Sequence, residues 1–426
     1  METIVALATA RGRAGVAIIR VSGEQAWDVC FALAGKVPEP RQARLLALRD
    51  AEGGLIDQAL VLVFEAGRSF TGERICEFQV HGSVAVVAAM LQACLAVEGV
   101  RAAEPGEFTR RAFLNGQMDL TEVEALADLI DAETDQQRRQ AMRVLDGSAG
   151  RIVDRWREDL LQSLSMIEAA MDFSDEEIPS DLLSYIEAPI ERVLSSMRDQ
   201  ISGRGASESL RDGFEIAIIG RVNAGKSTLL NTLAGRDAAI TSEREGTTRD
   251  VIEVRMEIAG MAVTLIDTAG LRDAQDEIER MGIERGAARA QDADLRIYLK
   301  SSPEEQPEDL VVGDIVLLSK ADVWKQPGIS SATGAGIADL LDQIQVTLSD
   351  RVKGSSIFIR ERHFDKLSRA VLHIESAKGH LGIEHGAWEL ASEELRGALR
   401  CLDGIVGRVD VEDVLGRIFS SFCIGK

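Results

Sequence analysis

Residues 214–227 read FEIAIIGRVNAGKS, and this stretch decides the architecture of the middle of the chain. The apolar run 214–219 has the texture of a buried strand. Gly220 to Ser227 then fits G-x-x-x-x-G-K-[ST], and STLLNTLAG (227–235) opens as a helix. Strand, glycine-rich turn and helix in that order are the context this motif requires. Its glycines let backbone N–H groups turn inward on phosphate oxygens, and the helix N-terminus adds partial positive charge. Lys226 is placed to reach β- and γ-phosphates, and the Ser227 hydroxyl to ligate magnesium.

Working outward, further β-type runs follow: VIEVRMEIA, VTLID, LRIYL and DIVLLS. With the intervening helices they give α/β texture and predict a largely parallel sheet. Asp267-Thr268-Ala269-Gly270 ends one of these strands, 41 residues after Lys226. A carboxylate there can hold magnesium through water, and the Gly270 amide can meet a γ-phosphate. Ser319-Lys320-Ala321-Asp322 ends another strand, where Asp322 can accept from the N1–H and amine of guanine and Lys320 can stack along the base. Ser319 stands where such motifs usually carry Asn, which removes one hydrogen-bonding group. Ser331-Ala332 fits the last base-contacting loop. Together these motifs imply a guanine-nucleotide site. Leu271 occupies the position where related enzymes carry a water-orienting Gln and cannot polarise water, whereas 273–282 (DAQDEIERMG) offers carboxylates. Only residues 301–313, with two prolines, link LRIYLK to DIVLLS, so any helix there is short.

On either side the texture changes. Residues 1–117 mix β-type runs (16–21, 59–64, 75–80) with helical stretches such as 83–97 and read as an α+β domain. From Asp119 to Met171 the pattern is helical, with Thr121 and Glu124 as a capping box and breaks at Gly147 and Gly150. A helix at 181–201 precedes GRGASESLRDG (203–213), which reads as a flexible linker. Helical sequence resumes at 361. The expected division is 1–117, a helical part at 118–210, an α/β unit at 213–350 and a second helical part at 351–426. An α/β unit flanked by helical sequence predicts an insertion into a helical domain; four consecutive modules is the alternative.

A net charge of −22 argues against a chain-wide nucleic-acid surface. Five scattered cysteines without a CxxC pair fit a reducing cytoplasmic setting, with no disulfide framework or zinc site. No apolar stretch approaches the roughly 20 residues that span a bilayer.

Beyond these motifs, several blocks resemble the MnmE (TrmE) family of tRNA-modifying GTPases over nearly the whole length. They are TIVALATARGRAGVAIIRVSG (3–23), SFTGERICEFQVHG (69–82), AEPGEFTRRAFLNGQMDLTEVEALADLIDA (103–132), GRVNAGKSTLLN (220–231), EGTTRDV (245–251), DTAGLRDAQDEIERMGIER (267–285) and the terminal Cys423-Ile424-Gly425-Lys426. The resemblance implies an α+β folate-binding domain, a helical domain and an inserted Ras-like P-loop G domain. It implies nucleotide contacts from Asn223, Ala224, Gly225, Lys226, Ser227 and Thr228. Ser242, Glu243, Arg244, Glu245, Gly246, Thr247 and Thr248 would add to them, as would Asp267, Thr268, Ala269, Gly270, Lys320, Asp322, Ser331 and Ala332.

The resemblance further implies G domains that dimerise around potassium. Asn223 would bind the potassium, with the backbone oxygens of Ser242, Arg244 and Thr247, while Ser227 and Thr248 ligate magnesium. Glu279 would orient the attacking water. Arg20, Glu77, Lys426 and Gln117, the last standing where the family often has Lys, would hold a tetrahydrofolate derivative, with Cys423 as a reactive thiol. A homodimer would join an FAD-containing MnmG-type partner in a heterotetramer. That complex would contact tRNA and place an aminomethyl-type group on carbon 5 of the wobble uridine. A ribosome-assembly or signalling GTPase of the same P-loop class is the alternative.

Overall fold

The computed structural model describes residues 2–172, 182–235, 253–267, 289–307, 309–382, 387–409, 415, 416, 418, 419, 422 and 425. The chain divides into two compact units, Met1–Ala127 with Asp403–Lys426, and Asp128–Leu402.

The first unit is built on a six-stranded sheet. Its strands are β1 (Thr3–Leu7), β2 (Ala17–Ser22), β3 (Arg44–Arg49), β4 (Leu55–Phe64), β5 (Ile75–Val80) and β6 (Val100–Ala102), in spatial order β3-β4-β5-β2-β1-β6. Alternation fixes the faces, because side chains in a strand point to opposite sides in turn. Ala17, Ile19 and Val21 of β2 join Cys76, Phe78 and Val80 of β5 in one core with helices α1 (Ala26–Ala34) and α2 (Val84–Leu95). Ile18, Arg20, Glu77 and Gln79 fall on the opposite face. Ser83 caps α2 by accepting from the Val86 amide. Helix α3 (Glu107–Leu114) and the start of α4 (Leu120–Asp131) complete this unit. The tail packs on them, with Leu415, Phe419 and Phe422 joining Leu120 and Val123 in a small core.

Helix α4 is capped two residues before the expected capping box, by Asp119 rather than Thr121. Asp119 accepts from the Glu122 amide at 2.9 Å, and Glu122 accepts from the Asp119 amide at 2.7 Å. Thr121 and Glu124 are buried instead, so Asp119 wins because its side chain is free to fold back on the turn.

The second unit joins helices to a second sheet. The expected run from Asp119 to Met171 is divided into α4, α5 (Asp135–Leu145) and α6 (Ser148–Asp172). One break, not expected, falls at 132–134, where Thr134 caps α5; the other falls at Gly147, while Gly150 stays within α6. Helix α7 (Leu182–Ser202) follows. The predicted linker 203–213 is helix α8 (Arg204–Asp212), a correction with a plain cause. Ser207 and Leu210 are spaced to share one helical face, and both are buried.

The sheet of this unit contains β7 (Phe214–Gly220), β8 (Glu253–Ile258), β9 (Met261–Asp267), β10 (Leu295–Lys300) and β11 (Ile315–Leu318), in order β11-β10-β7-β9-β8. Only β8–β9 is antiparallel. Helices α9 (Lys226–Ala234), α10 (Ala321–Trp324) and α11 (Ile337–Val352) accompany it, followed by α12 (Glu361–Leu381) and α13 (Trp388–Val406). The core is mostly aliphatic, with Ile216, Ile218, Leu229, Leu230, Leu265 and Ile297 almost wholly buried beside Phe214. Each such side chain contributes about 1.5–3 kcal/mol on burial.

The crossover between β10 and β11 carries no helix among its described residues and is tied by polar groups. Arg296 donates from Nε and Nη2 to Asp314, at 3.0 and 2.6 Å. The Tyr298 hydroxyl and the Ser301 amide donate to the buried Glu305 carboxylate.

Candidate nucleotide-binding site and the Arg20–Glu77 pair

Gly220 ends β7 at a φ of 142°. A Cβ there would lie 2.4 Å from the Leu299 carbonyl oxygen of β10, so only glycine fits. Asn223 and Gly225 then adopt positive φ, 63° and 93°, and the chain turns tightly into α9. Lys226 is the first residue of that helix, and its buried Nζ donates to the Gly220 and Arg221 carbonyls at 2.8 and 3.0 Å. Its charge is thereby held over the loop, at the helix end where backbone N–H groups lack intrahelical partners. Ala224 is fully buried beneath the turn, while Ser227 and Thr228 are exposed.

The Ser227 hydroxyl donates to Asp267 Oδ2 at 2.5 Å. Strand register explains the meeting, since β7 and β9 pair in parallel with Ile218 opposite Asp267. An exposed hydroxyl beside a buried carboxylate at the loop's mouth is a hard-oxygen donor set of the kind magnesium prefers.

The segment Ser319–Asp322, expected from the sequence to contact guanine, reaches the same place. Lys320, at a φ of 55°, donates from Nζ to the Asn223 carbonyl at 3.0 Å. Asp322 is exposed on α10. Ser319 is buried, and both its hydroxyl and its amide donate to the Lys300 carbonyl at 2.9 Å. Its hydroxyl is thus engaged in joining β11 to β10. In the last loop Ser331 and Ala332 lie at or near the surface, while the neighbouring Ser330 is buried and accepts from the Thr333 amide. Ser330 and Glu305 were not singled out from sequence. Nothing in the sequence around it distinguishes the buried Glu305 from the exposed Glu304 beside it.

In the first unit Arg20 and Glu77 sit opposite each other on β2 and β5, with Nε donating to Oε1 at 2.8 Å. The Arg20 guanidinium lies 5.5 Å from the Phe70 ring and 5.8 Å from that of Phe108. A donor fork, a carboxylate and an aromatic wall together suit a flat heteroaromatic ring bearing amine and carbonyl groups. Gln117 is exposed and donates to the Asn115 carbonyl. Arg111 bridges Glu73 and Glu107, and Arg101 also pairs with Glu107. Burial would raise the Glu107 carboxyl; hydrogen bonds from Arg101, the Glu104 amide and Arg111 outweigh it and hold it at about 2.

Ser242, Glu243, Arg244, Glu245, Gly246, Thr247 and Thr248 lie outside the described residues, as do Thr268, Ala269, Gly270, Glu279, Cys423 and Lys426. Gly425, between the last two, is described at a φ of 101°, against the Leu7 carbonyl of β1.

Two family profiles cover the chain. One described as "GTP-binding protein TrmE N-terminus" matches residues 3–117, and one described as "MnmE helical domain" matches 120–423. The second runs across the α/β unit as well as the helical stretches on either side of it. A Roseobacter denitrificans protein is 50% identical over 428 residues, one from Cereibacter sphaeroides 51% over 434, and one from a Ruegeria species 48% over 428. Each match covers 100% of both chains, and each relative is described as "tRNA modification GTPase MnmE".

Proposed function

The chain belongs to the MnmE family of tRNA modification GTPases, and from that premise we propose how its two sites divide the work. The inserted G domain binds and hydrolyses GTP. The N-terminal domain holds a tetrahydrofolate derivative as one-carbon donor. With an FAD-containing MnmG-type partner, the chain installs a carboxymethylaminomethyl-type group on carbon 5 of the tRNA wobble uridine. The observation that carries the reading is the 2.5 Å meeting of Ser227 and Asp267 beside the lysine-crowned loop.

In this reading Lys226 and the N-terminus of α9 receive the phosphates. Ser227, Thr248 and Asp267 would hold magnesium, which would supply positive charge against the phosphates. Asp322 reads the guanine edge. Leu271 has no group to orient water, and Glu279 takes that role. Asn223 offers a neutral amide oxygen at the loop's rim and, with the carbonyls of Ser242, Arg244 and Thr247, would hold potassium, which would supply positive charge in a G-domain dimer. Arg20 and Glu77 orient the folate ring, joined by Gln117 and by Lys426 of the tail. Cys423 is the candidate thiol nearest that end. The protein acts in the cytoplasm as a homodimer, and no helix among the described residues is long and apolar enough to cross a membrane.

The test is mass analysis of wobble nucleosides in tRNA from a strain lacking this chain. The modified uridine is expected to disappear, and its full retention would refute the reading. Turnover in potassium is expected to exceed turnover in sodium; equal rates would remove the Asn223 cation site.

A further inference from the structure

The two chain connections that lead into and out of the α/β unit are fastened to each other. At Gly203, just before α8, a Cβ would lie 2.4 Å from the Gly354 carbonyl oxygen and 2.7 Å from the Ser356 nitrogen. The Ser356 amide donates to the Gly203 carbonyl at 3.4 Å, and the Ser207 hydroxyl donates to the Ser356 carbonyl at 3.1 Å. Gln200 Oε1 accepts from the Ser356 hydroxyl and the Ile357 amide, at 2.9 and 3.0 Å. One step further along, a single carboxylate gathers both connections. Asp128 Oδ1 accepts from Arg211 Nε at 3.1 Å, on the ingoing helix, and from Arg360 Nη2 at 2.6 Å, on the outgoing segment. The three side chains are 13%, 29% and 26% exposed, so solvent screens these bonds less than surface pairs.

The same fastened end touches the helical part elsewhere. Gln137 of α5 donates from Nε2 to the Arg211 carbonyl at 2.8 Å. The Gln136 amide, in the first turn of α5, donates at 3.1 Å to the Gly260 carbonyl in the β8–β9 turn. Strand β9 runs from that turn to Asp267, which bonds Ser227 of the phosphate loop. Strand β9 therefore leads from the nucleotide loop to the first turn of α5 in the helical part.

We propose that Asp128 is a clasp that makes the ingoing and outgoing connections one stiff stem, so that nucleotide-dependent change at the phosphate loop is delivered to α5 as displacement. Without the clasp, the two connections would flex separately and absorb it. Asp128 takes no part in binding or hydrolysing GTP.

Hydrogen exchange on the full chain, with and without a non-hydrolysable GTP analogue, tests this. In the wild type the analogue is expected to change exchange across 135–145. Asp128→Asn is expected to speed exchange about tenfold in both 204–212 and 356–360 and to abolish the analogue's effect on 135–145. Its GTP kcat and KM are expected to stay within about twofold of wild type, as for a distant site. Should Asp128→Asn fail to fold, Arg360→Gln decides. It is expected to loosen 204–212 as well as its own segment, because a shared carboxylate couples them. The proposal is overturned if Arg360→Gln loosens only its own segment. It is equally overturned if neither variant alters exchange, or if the analogue, shown bound by fluorescence, leaves 135–145 unchanged in the wild type.

Discussion

The phosphate loop and the Arg20–Glu77 pair both place charged side chains at a sheet, but they are built by opposite means. The loop is nearly all local. Gly220, Asn223 and Gly225 set the turn by their own backbone angles, and Lys226 folds back onto carbonyls five and six residues away. The pair is non-local. Arg20 meets Glu77 only because β2 and β5 pair in one register, and a slip of one residue would turn Glu77 to the core face. Local construction tolerates damage elsewhere; register-built construction inherits the stability of the whole sheet.

Four experiments can break or sharpen that contrast. Lys226→Ala is expected to cut GTP turnover by about 10²–10³-fold, the usual cost of removing one preorganised positive donor, while leaving binding of a folate derivative unchanged by calorimetry. Turnover within threefold of wild type would remove Lys226 from the site. Asp322→Asn is expected to weaken GTP about 10- to 100-fold and to favour xanthine nucleotide, because the base acceptor becomes a donor; competition binding would read it, and unaltered GTP affinity would refute the guanine assignment.

On the other side of the contrast, Glu77→Gln is expected to weaken the folate derivative about tenfold by halving a charge-assisted pair. GTP turnover should not move, and a parallel loss of both would show that the sites are not independent. The smallest effect is a pH dependence at Glu107. Its folded carboxyl lies at about 2 against an ordinary 4.5, so its stabilisation is fully present above 4.5 and drains as pH falls toward 2. Urea midpoints at pH 6 and pH 3 should therefore fall further in the wild type than in Glu107→Gln; identical slopes would mean that Arg101 and Arg111 do not stabilise the ionised form.

What the sequence disclosed follows the same divide. The phosphate loop, Asp267 and Lys320 were legible because each sits at a strand end within a short motif whose backbone demands are local. Strands β2, β4 and β5 were legible from the runs 16–21, 59–64 and 75–80, though β4 starts earlier, at Leu55, whereas β1, β3 and β6 and the way they order around β2 were not. Helix α8 was misread because GRGASESLRDG carries three glycines and three serines or alanine at helical positions, and only burial of Ser207 and Leu210 reveals its face. Ser319 shows the opposite limit. Its type signalled a departure from Asn, but only the fold shows that its hydroxyl is committed to the end of β10.

The closeness of Gly203 and Ser356 has one further consequence, for modularity. A segment whose two ends lie a hydrogen bond apart can be removed, and the flanks rejoined by a residue or two, without stretching the surroundings. The α/β unit is thus seated like a cassette. An excised version of the chain would close over the gap, and a different nucleotide-responsive module with equally adjacent termini would fit the same socket.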